Sequence, residues 1–204
     1  MSNRPIPAPW FEAHDLGHAE GGHAVLRGLT FRIGPGLTLV RGGEQRGKTT
    51  LLRLLAGELQ PSQGTLQRHA AQVFRADRAE REHAERTIAQ AWAQHGRRWP
   101  AWDDALARDL ADAFGLTEHL HKRPHMLSTG SRRKAACVVA FASGADVALL
   151  DVPHASLDAS SSRVLTELLA EAAQHPRRAW VVADYEPLPG IADSTYAAVI
   201  DLGD

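Results

Sequence analysis

Residues 42–49 read GGEQRGKT and fill every position of the pattern GxxxxGK[ST]. The flanks make that pattern a constraint on the fold. Before it stands LTLV at 37–40, a short apolar run that reads as a buried strand. After it, TTLLRLLAGEL at 49–59 has helical spacing and stops before Pro61. A strand entering a helix through a glycine loop aims successive backbone N–H groups and the positive end of a helix dipole at one point. Such a point holds phosphate. Gly42 and Gly47 supply geometries that a side chain would obstruct. Lys48 is placed to reach the β- and γ-phosphates of a nucleotide, and the Thr49 hydroxyl to ligate Mg²⁺. The candidate binding residues are Gly42, Gly43, Glu44, Gln45, Arg46, Gly47, Lys48, Thr49 and Thr50. Glu44 is the odd member, because a carboxylate beside polyphosphate costs affinity unless it points outward or pairs with Arg46.

The rest of the chain reads as one α/β unit. With 204 residues, a single domain with a lobe is expected. Strands at 10–16 and 24–33 are joined through Gly21-Gly22, a hairpin signal. From 75 to 142 the sequence reads as a helical lobe inserted into the core. It contains ERTIAQAWAQH and DDALARDLADAFGL, with Asp103 as a helix cap and Gly115 near the helix end. The core resumes with the strand VALLD at 147–151, a helix at 160–174, the strand AWVVA at 179–183 and a last strand at 196–202. Trp92, Trp99 and Trp102 read as core or staple residues of the lobe. RADRAEREHAER at 75–86 mixes both signs, as an exposed face does. Eleven histidines include His14, His18, His23, His119, His121 and His125, but no CxxC or HExxH accompanies them, so they read as surface histidines.

VALLD ends in Asp151, about a hundred residues after the glycine loop, where a carboxylate would hold Mg²⁺ through water opposite Thr49. Together with Leu127-Ser128-Thr129-Gly130-Ser131 and VALLDVPHASLD, these segments resemble the ATP-binding cassette (ABC) ATPases, whose consensus runs LSGGQ and LLLLDEPTxxLD. The compact length, without a C-terminal extension, looks most like the small ATP-binding subunits of the haem-exporter (cytochrome c maturation) type. The resemblance implies an α/β fold. Its P-loop NTPase (RecA-like) core sheet carries an N-terminal antiparallel β-subdomain and an inserted helical subdomain. The cassette would be one domain over 1–204, with 1–74 and 143–204 forming the core and β-subdomain and 75–142 the lobe. It also implies a head-to-tail dimer, homo- or heteromeric, in which Leu127, Ser128, Thr129, Gly130 and Ser131 of one chain cover the γ-phosphate held by the other. Ser156-Leu157-Asp158 matches the dimer-contact loop.

The match fails where the family keeps its hydrolytic groups. Val152 stands at the position of the glutamate that polarises the attacking water, and valine neither accepts a proton nor hydrogen-bonds. Losing that assistance slows hydrolysis by about 10²–10⁴-fold. Tyr185 stands at the switch-histidine position, and Arg75-Ala76 where a glutamine is expected, with Gln72 a few residues early. Asp184 or Glu186 would be a displaced base. No adenine-stacking residue is assigned, although Trp10, Phe11 and His18 lie in the first strands.

The resemblance therefore implies the ATP-binding subunit of an ABC transporter, with ATP and Mg²⁺ as its ligands and a separate transmembrane permease as its partner. The alternative is a degenerate, nucleotide-gated subunit that binds ATP with little hydrolysis and supports a partner. Lys+Arg 23 against Asp+Glu 24 leaves a net charge of -1, so no nucleic-acid partner is expected. A lone cysteine, Cys137, excludes an intrachain disulfide and fits a reducing compartment. No apolar run approaches the ~20 residues of a membrane span, and MSNRPIPAPWF lacks the apolar core of a signal peptide. The expected location is cytoplasmic, peripheral on the inner face of the membrane.

Overall fold

The apolar runs at 37–40, 147–150 and 179–183 lie at the centre of one parallel sheet. A computed structural model describes residues 8–76 and 85–203. Two sheets result. β1 (Phe11–Glu20), β2 (His23–Ile33) and β4 (Gln63–Arg68) form an antiparallel sheet in the order β2-β1-β4. β3 (Gly36–Arg41), β5 (Val73–Arg75), β6 (Val147–Asp151), β7 (Ala179–Asp184) and β8 (Ala198–Asp201) form a parallel sheet in the order β5-β6-β7-β3-β8.

Strands covered on both faces favour apolar side chains along their length, and β3, β6 and β7 are largely apolar up to their last residue, with a buried Thr38 in β3. Side chains alternate between two cores. Val40, Val147, Leu149, Val181 and Ala183 join a cluster with α1 (Lys48–Leu55) and the antiparallel sheet. Leu37, Leu39, Ala148, Leu150 and Val182 join the other cluster. That one includes α2 (Ile88–Arg98), α3 (Asp104–Ala113), α4 (Thr129–Ala142) and α5 (Ala159–Ala172).

Local signals explain the boundaries. Gly21 and Gly22 have φ of 57° and 82°, as a two-residue hairpin turn requires. The Asp103 carboxylate accepts the Leu106 N–H at 2.9 Å and caps α3. α1 is shorter than the spacing suggests, ending at Leu55 as Gly57 takes a left-handed φ of 76°. Trp92 and Trp99 are buried in the core, while Trp102 packs against it and donates to Asp104 at 2.7 Å. Residues 77–84 of the mixed-charge run lie outside the described residues.

Arg178 fastens α4 to the sheet. Its guanidinium donates to the carbonyls of Ala145 (2.8 Å), Phe141 (3.1 Å) and Ala140 (3.2 Å) and stacks 4.6 Å from the Trp180 ring. Two of these carbonyls belong to the last turn of α4 and lack helical donors. Arg178→Ala is expected to destabilise the chain by about 2–3 kcal/mol, because charge-assisted bonds are lost and the carbonyls stay half-buried. Thermal unfolding checks this, with the midpoint falling by about 5–10 °C.

Candidate functional site

The loop at 42–47 leaves the carboxyl end of β3 where the parallel sheet presents its neighbouring strand ends. Val40 pairs with Ala183, Ala183 with Asp151, and Arg41 with Asp184, so Asp151 and Asp184 stand at the rim beside the loop. Crevices outside the carboxyl ends of parallel strands are where such sheets bind ligands. An open cleft here is lined by Glu20, Val25, residues 45–50, Asp151, Val152 and Tyr185.

Gly47 caps α1 with φ 89°, and an added Cβ would come within 2.7 Å of Leu26 and 2.9 Å of Val25. The antiparallel sheet thus presses on the loop, and only glycine fits. At Gly42 a Cβ would approach Leu202 at 3.0 Å and the Gly203 carbonyl at 3.1 Å. The Gly43 N–H is already used, donating to Gly203 at 3.0 Å. Among the described residues, the N–H groups of Gln45, Arg46, Gly47 and Lys48 find no acceptor in the chain. They face the positive end of α1 and suit an anion. Gln45 holds a left-handed φ of 61° to turn the loop. The Glu44 and Arg46 side chains are exposed.

Lys48 is 7% exposed. Its ammonium donates to Gly42 O at 2.6 Å and Gly43 O at 2.7 Å and lies 3.9 Å from the Tyr185 ring centroid. Burial pushes its pKa down, against the charges of Asp151, Asp184 and Glu44. The Thr49 hydroxyl donates to Asp151 Oδ2 at 2.6 Å. Two hard oxygen atoms are thereby held side by side.

Asp184 is half-buried, and that burial pushes its carboxyl up. The Tyr185 N–H (2.8 Å), His154 and Lys48 act in the opposite sense, while Asp151 adds to the rise. His154 packs its Nε2 3.2 Å from Thr166, while its buried Nδ1 has no hydrogen-bond partner among the described residues. Burial lowers its pKa, and Asp184 opposes that.

Val152 lines the cleft with a left-handed φ of 43° while its N–H donates to Ala183 at 2.8 Å. A β-branched residue is strained there, at a cost on the order of 1–3 kcal/mol. The valine occupies a backbone shape it does not favour and offers no polar group.

Leu127, Ser128, Thr129, Gly130 and Ser131 do not line this cleft. Ser128 caps α4 through the Ser131 N–H at 3.0 Å, and a Cβ at Gly130 would collide with the Ser156 carbonyl. Arg133 donates to the Ala155 carbonyl, and Lys134 pairs with Asp158 at 2.6 Å. The start of α4 is therefore fixed to the loop that follows β6. The bond from Lys134 first, then those from the Ser161 N–H and the Ser160 and Ser161 hydroxyls, hold the Asp158 carboxyl well below the usual range.

Of the aromatic candidates, Phe11 is fully buried, Trp10 donates its indole N–H to Arg177 O at 2.9 Å, and His18 bonds Gln60 O at 2.9 Å. None of them lines the cleft; Val25 and Glu20, which the sequence did not single out, do. Arg75, where a glutamine was expected, is buried and paired with Glu58 at 3.1 Å.

Comparison with known proteins agrees with this architecture. The ABC transporter family model matches residues 26–155. The chain is 30% identical to the cytochrome c biogenesis ATP-binding export protein CcmA of Hyphomonas neptunium, over 80% of this chain and 83% of that one. It is 33% identical to the protein of the same name from Alkalilimnicola ehrlichii, over 83% and 78%. A solved ATP-binding subunit of an ABC transporter superposes with a TM-score of 0.74 at 19% identity, covering 86% of this chain and 79% of that one. The chain belongs to the ABC transporter family, among its ATP-binding subunits.

Proposed function

We propose that residues 1–204 form a single cassette that binds Mg-ATP in the cleft between the glycine loop and the ends of β6 and β7. Binding is coupled to transport by a separate membrane subunit, and turnover in the chain's own site is slow. The observation that carries the reading is the set of unused N–H groups at 45–48 beside the Lys48 ammonium and the Thr49–Asp151 pair. These residues fit the ligand. Polyphosphate supplies acceptors for the unused amides and a counter-charge for Lys48, and Thr49 and Asp151 offer hard oxygens suited to Mg²⁺. When bound, Mg²⁺ would neutralise phosphate charge. The chain itself orients the phosphates and shapes the cleft around them.

Val152 favours the degenerate form of this function, a subunit that holds ATP with little hydrolysis and supports a partner. The signature residues, Leu127–Ser131 by number 127–131, act in this reading across a head-to-tail dimer, homo- or heteromeric, on the partner's nucleotide. Among the described residues no helix is long and apolar enough to cross a membrane, which supports a pore supplied by another polypeptide. A peripheral place on the cytoplasmic face follows from that role, and nucleic acid is not a partner. Similarity to cytochrome c biogenesis export proteins supports a haem-exporter-like assembly, with the substrate selected in the membrane subunit.

Calorimetric titration tests the reading through its metal dependence. ATP is expected to bind about tenfold or more tightly with Mg²⁺ than with excess chelator, and Asp151→Ala to remove most of that difference. Equal affinity under both conditions would contradict the assigned role of Thr49 and Asp151.

A further inference from the structure

The Lys48 ammonium has three N–H donors, and in the nucleotide-free chain its surroundings are full. Two donors reach the Gly42 and Gly43 carbonyls at 2.6 and 2.7 Å, and the Tyr185 ring faces the cation at 3.9 Å. A ring at that distance is in direct contact with the charge. The ring and a polyphosphate in the cleft that Tyr185 and Lys48 both line would contend for the same cation.

The ring is lightly held. Tyr185 is 50% exposed, and among the described residues its hydroxyl has no hydrogen-bond partner. Its backbone is fixed instead, because the Tyr185 N–H donates to Asp184 at the end of β7. Tyr185 lines two clefts. One it shares with residues 45–50 and Asp151; the other with Arg41, Gly42, Glu186, Pro187, Asp201 and Gly203.

We propose that Tyr185 is a lid on the phosphate-binding ammonium, competing with the polyphosphate of the nucleotide for Lys48 and swinging into the neighbouring cleft when nucleotide binds. This rests on the nucleotide-binding reading and adds to it a residue that works against affinity. Removing the ring removes a cation–ring contact that the ligand otherwise displaces, so binding tightens by about three- to tenfold.

The test combines calorimetric titration with Mg-ATP and with inorganic pyrophosphate, and NMR of the free protein. Tyr185→Leu and Tyr185→Ala are expected to bind both probes about three- to tenfold more tightly than wild type. Tyr185→Phe, which keeps the ring, gains less than either. In the free wild type the Lys48 side-chain resonances are shifted upfield by the ring current, and the shift disappears on adding Mg-ATP. The chain has only two tyrosines, Tyr185 and Tyr196, so the moving ring signal is assignable by substitution. Loss of affinity in Tyr185→Phe would assign the hydroxyl to the phosphate and overturn the lid. So would an unshifted Lys48 in a protein that binds Mg-ATP. If Lys48 shows the shift but neither wild type nor the ring-less variants bind either probe, the nucleotide-binding reading itself fails, and competition at Lys48 fails with it.

Discussion

Val152→Glu is expected to raise ATP turnover by about 10²–10⁴-fold over wild type, the usual contribution of a positioned general base. The substitution puts a carboxylate on a residue that already lines the cleft. The backbone tolerates it. Val152 has φ 43°, and glutamate, which is not β-branched, takes that left-handed shape at less cost than valine. Stability should therefore hold or rise slightly. Asp151 and Asp184 stand at the same rim, and their negative charges would raise the pKa of an introduced glutamate, making it the stronger base. Steady-state phosphate release checks the prediction, with Val152→Gln as the variant that hydrogen-bonds water but takes no proton. An unchanged rate in Val152→Glu would mean that Asp184 or Glu186 already supplies the base, or that the site does not close.

Lys48→Ala is expected to weaken Mg-ATP binding by about a hundredfold or more. Charge-assisted hydrogen bonds contribute roughly 1.5–3 kcal/mol each, and a lysine of this type serves two phosphates. Partial desolvation strengthens its pull, because the ammonium is nearly buried and little water screens it. The effect on folding is smaller. Gly42 O and Gly43 O lose their shared donor, which costs about 1–2 kcal/mol. Ligand-induced thermal shift separates the two effects: added Mg-ATP raises the wild-type midpoint and leaves that of Lys48→Ala nearly where it was. A variant that still responds fully to Mg-ATP would mean that the backbone amides alone account for binding.

The parallel sheet was legible because β3, β6 and β7 are buried on both faces and so carry short, largely apolar runs. The glycine loop, the Asp103 cap and the Gly21-Gly22 turn were legible for a related reason. Each is a local device whose residue type follows from the backbone geometry it serves. β4 was missed. Its residues are mostly polar and exposed, and it joins the antiparallel sheet as an edge through backbone pairing with β1, which leaves no pattern in side chains.

The chemistry of the rim divides in the same way. Substitution of a catalytic type by Val152 could be read from the family pattern, whereas its left-handed backbone could not. The Tyr185 ring over Lys48, and the proximity of His154 to Asp184, join segments far apart in sequence; only the parallel register that brings β7 beside β3 and β6 makes them neighbours. Val25 and Leu26, which press on Gly47, come from the other sheet and were invisible for that reason.

On the proposed reading, this chain holds Mg-ATP without readily cleaving it. A single-turnover experiment tests it most directly: excess protein is mixed with radiolabelled Mg-ATP, and the nucleotide recovered from the protein is separated over time. The account predicts that wild type retains mostly ATP while Val152→Glu converts its bound ATP to ADP at least about a hundredfold faster. Wild-type protein that retains no nucleotide, or that yields ADP as fast as the glutamate variant, would contradict it.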